Sequence, residues 1–174
     1  ASATIKNTPI KGKIWVTKTG ASAATLLKDA EFTLYKADQT TKVVITGLTN
    51  PAKTNEKGIA VFEKLPCGTY YLKETGAPDG YSVDTTMQKI VISDETLHSI
   101  TVKDTKLSLT VSKKAVGGAV EVPGASFTIT EKDDPTVVLD SWVSTDRAHI
   151  VTTEKMTTGK HYILSETKAP AGYT

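Results

Sequence analysis

Hydrophobic and polar residues alternate with a period of two along most of the chain. The alternation is clear in Lys13–Lys18, Glu31–Tyr35, Gly68–Glu74 and Ser99–Asp104, and clusters of Gly, Pro, Asn and Asp separate these segments. A strand with one buried face gives this pattern, whereas an amphipathic helix repeats every three to four residues. Short strands between frequent turns predict an all-β fold made of β-sandwiches.

The chain also repeats itself. Glu31–Leu34 returns as Ser126–Ile129, and Tyr71–Tyr81 returns as Ile163–Tyr173, at spacings of roughly 92–95 residues. Self-similarity over a long, nearly constant interval indicates two copies of one domain.

The repeat predicts where the domains divide. We place the first domain at residues 1–105 and the second at residues 106–174, with almost no linker between them. The second copy stops one residue after Tyr173, whereas the first continues through two more strand-like segments after Tyr81. The second domain is therefore expected to lack its C-terminal strand or strands and to leave an open sheet edge.

Composition limits how such small domains are stabilised. Two β domains within 174 residues bury little surface each, so they usually need a covalent or metal staple. Cys67 is the only cysteine, so no internal disulfide forms, and the three scattered histidines without a CxxC motif give no reason to expect a metal or cofactor. A net charge of +2 with mixed signs argues against nucleic acid as a partner, and no apolar run is long enough for membrane insertion.

Alternation places three ionisable residues, Lys18, Glu74 and Asp104, on the apolar faces of their strands. Buried charges are costly unless paired, so these three side chains should lie together. Burial favours the neutral amine, which is a nucleophile, and the protonated carboxylic acid, which can polarise a carbonyl. Two interpretations stay open: a buried salt-bridge triad, or attack of Lys18 on Asp104, assisted by Glu74, that releases water and leaves an amide.

Two segments resemble a known family. Leu72–Tyr81, which contains Glu-Thr-Gly-Ala-Pro-Asp-Gly-Tyr, is similar to the E-box of the collagen-adhesin B-type (CnaB, transthyretin-like) domains of Gram-positive surface proteins and pilins. Leu65–Tyr70 resembles the Leu-Pro-x-Gly-x-Tyr segment that precedes the E-box in that family. The resemblance covers nearly the whole chain, once in full and once truncated. It implies two tandem β-sandwiches of the inverse immunoglobulin type.

The resemblance also implies roles for the three residues. In that family a first-strand lysine bonds to an Asn or Asp on the last strand, so Lys18 corresponds to the nucleophile, Glu74 to the catalyst and Asp104 to the acceptor. In the second domain Lys113 and Glu166 match the first two roles, and no Asn or Asp follows Glu166. This domain is expected to be unbonded, or to accept a strand from another chain.

The implied function is structural. Domains of this kind form stalks or shafts of cell-wall-anchored proteins and pili, with sortase joining subunits, which implies an extracellular, cell-surface location. Formation of the bond would be a single autocatalytic event, so turnover of an external substrate is not expected. The alternative is an adhesin module that binds a host matrix protein or a glycan. Trp15 and Trp142 are interpreted as packing or sheet-surface residues, with a platform for a sugar ring as the less favoured alternative.

Overall fold

The computed structural model describes residues 5–174, and every helix or strand element in this range is a β-strand. Contacts divide the described chain into two compact units: unit 1 takes residues 5–78 and 82–105, and unit 2 takes residues 79–81 and 106–174. The predicted all-β class with two tandem domains is confirmed. Between residues 5 and 174 no helix has the length and apolar character needed to span a membrane.

Unit 1 contains seven strands in two sheets. They are β1 (Lys11–Thr19), β2 (Glu31–Tyr35), β3 (Ala52–Lys53), β4 (Ile59–Pro66), β5 (Gly68–Gly76), β6 (Gln88–Ile92) and β7 (Leu97–Lys103). One sheet has the order β4-β1-β7 and the other β3-β2-β5-β6. All neighbours are antiparallel except β1 and β7, which run parallel. The first and last strands of the unit therefore lie side by side and point the same way.

The core of unit 1 lies between its two sheets. Along β1 the exposed fraction alternates, because Ile14 and Val16 are fully buried while Trp15 between them is exposed. Phe32 and Leu34 of β2 and Leu72 of β5 meet them from the other sheet. Full burial of one such side chain stabilises the fold by about 1.5–3 kcal/mol. This alternation confirms the inward face that the sequence predicted for β1.

Unit 2 contains five strands. They are β8 (Thr110–Val111), β9 (Ser126–Glu131), β10 (Val138–Val143), β11 (His149–Ile150) and β12 (Tyr162–Lys168). One sheet has the order β10-β9-β12, and β8 pairs with β11 in a second, two-stranded sheet. Within residues 5–174 no strand lies on the free side of β8 or of β12, the positions that β7 and β6 occupy in unit 1. Both edges are therefore open in the described part of the chain.

A pair of hydrogen bonds shows that the two units share one local design. In unit 1 the Thr54 hydroxyl donates to the Leu27 carbonyl and accepts from the Ala30 N–H, at 2.7 and 3.0 Å. In unit 2 the Ser144 hydroxyl donates to the Val122 carbonyl and accepts from the Ala125 N–H, at 2.7 and 2.9 Å. The same pair of hydrogen bonds thus holds the residue before β2 and the residue before β9. This local match agrees with the repeat found in the sequence.

Candidate functional site

The backbone around Lys18 fixes where its side chain enters the core of unit 1. The Lys18 N–H donates to the Gly58 carbonyl at 2.7 Å, and the Lys18 carbonyl accepts from the Leu27 N–H at 3.0 Å. Gly58 adopts φ +65°, and a Cβ at this position would lie 2.7 Å from the Lys18 carbonyl oxygen. Only glycine fits this turn without displacing Lys18. The Lys18 side chain is fully buried.

Glu74 and Asp104 both contact the Lys18 ammonium. Glu74 lies on the inward face of β5, and Asp104 directly follows β7. The Lys18 Nζ donates to Glu74 Oε2 at 2.8 Å and also to Asp104 Oδ1. The Asp104 N–H donates to the Thr19 carbonyl at 2.9 Å, which holds the end of β7 beside the end of β1. The structure therefore brings together the three residues that alternation placed on inward faces.

The cluster is sealed from solvent. The side chains of Lys18, Glu74 and Asp104 have no exposed surface, and the Phe32 ring centroid lies 5.7 Å from the Lys18 Nζ. Among the described residues, Glu74 Oε1 and Asp104 Oδ2 are buried without a hydrogen-bond partner. One cation lies between two carboxyl groups, so two ionised carboxylates would leave a net negative charge in a dry core.

Burial changes the protonation of Glu74. Removal from water raises the pKa of Glu74 to about 7, although hydrogen bonds from the Lys18 ammonium and from the Asp84 N–H at 2.9 Å oppose this shift. The carboxyl group is therefore part protonated near neutral pH. A protonated Glu74 would gain a donor in the pocket that also holds the unpartnered Asp104 oxygen.

The arrangement suits condensation of an amine with a carboxylic acid. The nucleophilic nitrogen contacts the carboxyl group that it would attack, which is the proximity that raises intramolecular rates. A neighbouring carboxyl group that is part protonated near pH 7 can both accept a proton from the amine and donate one to the leaving oxygen.

Unit 2 contains the corresponding pair in an open setting. Lys113 Nζ donates to Glu166 Oε2 at 3.0 Å, but the two side chains are 22% and 32% exposed. Within the described part of the chain, Glu166 is the only carboxylate at ion-pair distance from the Lys113 ammonium. The Lys113 N–H donates to Glu121 Oε2 at 2.9 Å, so a second carboxylate reaches the backbone rather than the side chain. Among residues 5–174 the structure places no second carboxylate or amide side chain at bonding distance from the Lys113 ammonium.

Several features of the structure were not predicted from the sequence. The Asp84 N–H reaches Glu74 through the backbone, which no side-chain pattern reveals. In unit 2 His149 Nε2 lies 2.9 Å from Asp140 Oδ2 and its ring stacks on Trp142 with centroids 4.1 Å apart. Cys67 is exposed in the turn between β4 and β5. None of these residues contacts the Lys18 ammonium.

Fold and site together define a class: a tandem β-sandwich protein whose first unit links its first and last strands through a sealed lysine–carboxyl cluster. The sequence profile of the SpaA family, described as a prealbumin-like fold domain, matches residues 12–106 and 107–174. The chain belongs to this family. The predicted resemblance to domains of Gram-positive surface proteins and pilins is therefore confirmed.

Solved structures share the fold. The Bacillus anthracis TIE protein is 30% identical with a TM-score of 0.54 over 92% of this chain. BcpA, the major pilin subunit of Bacillus cereus, is 19% identical with a TM-score of 0.52 over 94%. A Streptococcal ancillary pilin is 22% identical with a TM-score of 0.52 over 97%. The likeness to the two pilins shows the fold alone.

The chain is shorter than these relatives. It spans 29% of the TIE protein chain, 61% of the BcpA chain and 57% of the ancillary pilin chain. None of the curated proteins compared with it is similar in sequence.

Proposed function

We propose that this chain forms load-bearing domains in the stalk or shaft of a Gram-positive cell-wall protein or pilus. We further propose that unit 1 is closed by an isopeptide bond between Lys18 and Asp104. The single observation that supports the bond most is the sealed contact of the Lys18 ammonium with both Glu74 and Asp104. Two of the structural neighbours are pilins, which supports the setting.

The proposed reaction balances without a cofactor. The Lys18 ammonium passes a proton to the Asp104 carboxylate that it contacts, and the neutral amine attacks the Asp104 side-chain carbonyl carbon, which the protonated Glu74 polarises. The C–N bond forms, and one carboxyl oxygen leaves as water after it receives protons through Glu74. One ammonium and one carboxylate thus become one amide and one water. Because the products stay in place, each chain reacts once and the protein is not an enzyme with turnover.

A bond at this place serves a mechanical role. Lys18 is near the end of β1, Asp104 follows β7, and these parallel strands are neighbours. Tension that enters through β1 and leaves after β7 would pass through the amide, so the rest of unit 1 would not have to resist it. This supports a stalk or shaft rather than a catalytic domain.

Other subunits of a pilus or surface protein are the proposed partners, joined by sortase at the cell wall. A strand supplied by another segment or chain is a further proposed partner, because the free side of β8 has the position that β7 fills in unit 1. An Asp or Asn on such a strand would meet Lys113. Binding of a host matrix protein or a glycan is the alternative function.

The intact mass of the denatured protein tests the bond. The native chain is expected to be lighter than its sequence by one water, and Lys18→Ala and Glu74→Ala variants are expected to have their full sequence mass. Lys113→Ala is the matched control, because it removes the equivalent lysine of unit 2 and should keep the deficit. A native chain at full mass would leave Lys18, Glu74 and Asp104 as a buried salt-bridge triad.

Replacement of Asp104 by Asn sharpens the test. An amide acceptor would release ammonia instead of water and give the same final product. The matured Asp104→Asn variant is therefore expected to have the same intact mass as the matured native chain. A matured variant one ammonia heavier than the native chain would show that Asn is not accepted at this site.

A further inference from the structure

Unit 1 has a tryptophan on the outer face of its three-stranded sheet, away from the lysine–carboxyl cluster. Trp15 lies on β1, the central strand, with Val61 of β4 and Ser99 of β7 as its cross-strand neighbours. It is 37% exposed, whereas Ile14 and Val16 beside it are buried. A large aromatic ring left partly in solvent at the middle of a sheet can offer apolar surface to a ligand.

A β-bulge shapes the surface beside this tryptophan. The pairing of β1 with β4 shifts between Gly12 and Ile14, so that Glu63 and Lys64 together lie opposite one residue of β1. Lys64 has φ +61°, a left-handed conformation that costs a non-glycine residue about 1 kcal/mol or more. Bulges redirect side chains and are frequent beside binding sites. Here the two bulged residues, Glu63 and Lys64, both border a cleft that Trp15 also lines.

Two clefts flank Trp15, and both include Glu63 in their walls. The larger has a volume of about 540 Å³ and is also bordered by Lys11, Lys13, Lys64 and Glu95. The smaller, of about 360 Å³, is also bordered by Leu48, Thr49 and Val61. Small-molecule sites typically have volumes of about 300–1,000 Å³. The ring therefore stands between two open grooves of suitable size rather than in a broad apolar patch.

The charges around the larger cleft narrow the class of ligand. Three lysines and two glutamates border it, and such residues are depleted from the cores of protein interfaces. The near balance of signs also gives little attraction for a polyanion such as nucleic acid. Lys13 Nζ and Glu63 Oε1 are 2.5 Å apart and remain 40% and 50% exposed as side chains. A donor and an acceptor side by side match two neighbouring hydroxyl groups.

We propose that Trp15 and its two flanking clefts form a saccharide-binding surface. The Lys13 Nζ lies over the Trp15 ring, 6.0 Å from its centroid. The apolar C–H face of a sugar ring would pack on the indole beside this ammonium, and its hydroxyl groups would bond to Lys13, Glu63 and Thr49. The glycan strands of the cell wall and host glycans share this chemistry. The inference goes beyond the proposed isopeptide bond and does not depend on it, because the surface lies on the outer face of β1 and Lys18 on the inner face.

The two tryptophans of the chain allow a direct test. The full chain labelled with 5-fluorotryptophan gives one fluorine resonance each for Trp15 and Trp142, assigned with Trp15→Phe and Trp142→Phe variants. We expect saturable movement of the Trp15 resonance, and not of the Trp142 resonance, on titration with one of two probes. The probes are an N-acetylglucosamine–N-acetylmuramic acid tetrasaccharide for the cell wall and N-acetyllactosamine for host glycans.

Variants separate binding from folding. Trp15→Ala is expected to weaken binding, measured by calorimetry, by about tenfold or more, whereas Trp142→Phe should leave it unchanged. Lys13→Ala and Glu63→Ala should each weaken it less. The far-ultraviolet circular dichroism spectrum of Trp15→Ala should match that of the native chain, which shows that unit 1 still folds whether or not the Lys18–Asp104 bond forms. No movement of the Trp15 resonance with either probe at about 10 mM, a concentration that detects millimolar affinity, overturns the proposal. Binding of a matrix protein through Trp15 without saccharide binding also overturns it.

Discussion

The lysine–glutamate pairs of the two units have similar contact distances and different surroundings. Lys18 and Glu74 are joined at 2.8 Å, and Lys113 and Glu166 at 3.0 Å. The first pair has no exposed surface, while the second is 22% and 32% exposed. The difference arises from the last strand, because β7 pairs with β1 and is followed by Asp104, and β8 has no such neighbour in the described chain. A short lysine–glutamate contact alone does not bury the pair. In unit 1 strand β7 lies beside β1 and leads to Asp104, the proposed acceptor, and the pair is sealed from solvent.

The largest expected effect is a loss of stability in unit 1. Lys18→Ala should lower the free energy of unfolding of unit 1 by about 4–5 kcal/mol, as expected for loss of a covalent link that closes a loop of this length. Guanidinium denaturation followed by Trp15 fluorescence, in a Trp142→Phe background, measures it. The intact mass separates this cause from a broken buried ion pair, which alone costs about 3–5 kcal/mol. A change below about 1 kcal/mol would contradict both.

The next effect is on the rate of bond formation. Glu74→Gln removes the group that transfers protons and should slow the reaction by about 100-fold or more. In the native chain the rate should fall as the pH rises above about 7, because the protonated fraction of Glu74 then declines. Chains synthesised in vitro at several pH values, quenched in denaturant at intervals and weighed by mass spectrometry, give these rates. A native rate that is flat from pH 6 to pH 8 would exclude the protonated carboxyl group as the working form.

A smaller effect is expected at the His149 stack of unit 2. His149→Ala removes a hydrogen bond and an aromatic contact, and should lower the stability of unit 2 by about 1–2 kcal/mol. Urea denaturation followed by Trp142 fluorescence, in a Trp15→Phe background, measures it. An unchanged midpoint would mean that the stack adds nothing to stability.

The same cluster predicts a pH dependence. Burial opposes the shift, but hydrogen bonds from His149 and from the Thr152 and Ser141 N–H groups hold the pKa of Asp140 below its ordinary value of 3.8. A carboxyl group with a depressed pKa stabilises the fold fully above that ordinary value, and the contribution is lost as the pH falls through the lower pKa of the folded state. In the Asp140→Asn variant the free energy of unfolding of unit 2 should therefore fall less at acidic pH than it does in the native chain. The native chain in the same titration is the reference.

The smallest effect should be at Lys113. Lys113→Ala removes an ion pair that water already screens, so we expect less than about 1 kcal/mol of lost stability in unit 2. The measurement is the same urea titration. A loss as large as that at Lys18 would show that the two pairs are equivalent and would remove the distinction between a sealed and an open site.

The sequence predicted the strands better than the contacts between them. Alternation gave β2 its observed limits, and the inward faces of β1 and β5 followed from a period of two. The meeting of Lys18, Glu74 and Asp104 followed from the cost of buried charge, while their chemical roles stay predictions. The bulge at Glu63–Lys64 was not predictable, because it depends on the register between two strands far apart in sequence.

The contacts of His149 and Asp84 were missed for related reasons. His149 contacts Asp140 and Trp142 only after β10 and β11 pack together, and single-sequence patterns do not reveal side-chain packing. The Asp84 N–H reaches Glu74 from a loop, and any residue other than proline at this position would offer the same donor.

The parallel pairing of β1 and β7 has a consequence for how far the chain can lengthen. Lys18 and Asp104 lie at matching ends of their strands, so a bond between them would carry tension directly from one residue to the other. The roughly 85 residues between them would then bear no load and would not be pulled out. Extended fully, those residues would span about 280–300 Å. With the bond in place, unit 1 would not extend by this length under tension. Unit 2 in its open form would release its own, so the same stretch of chain would combine an almost inextensible link with an extensible one.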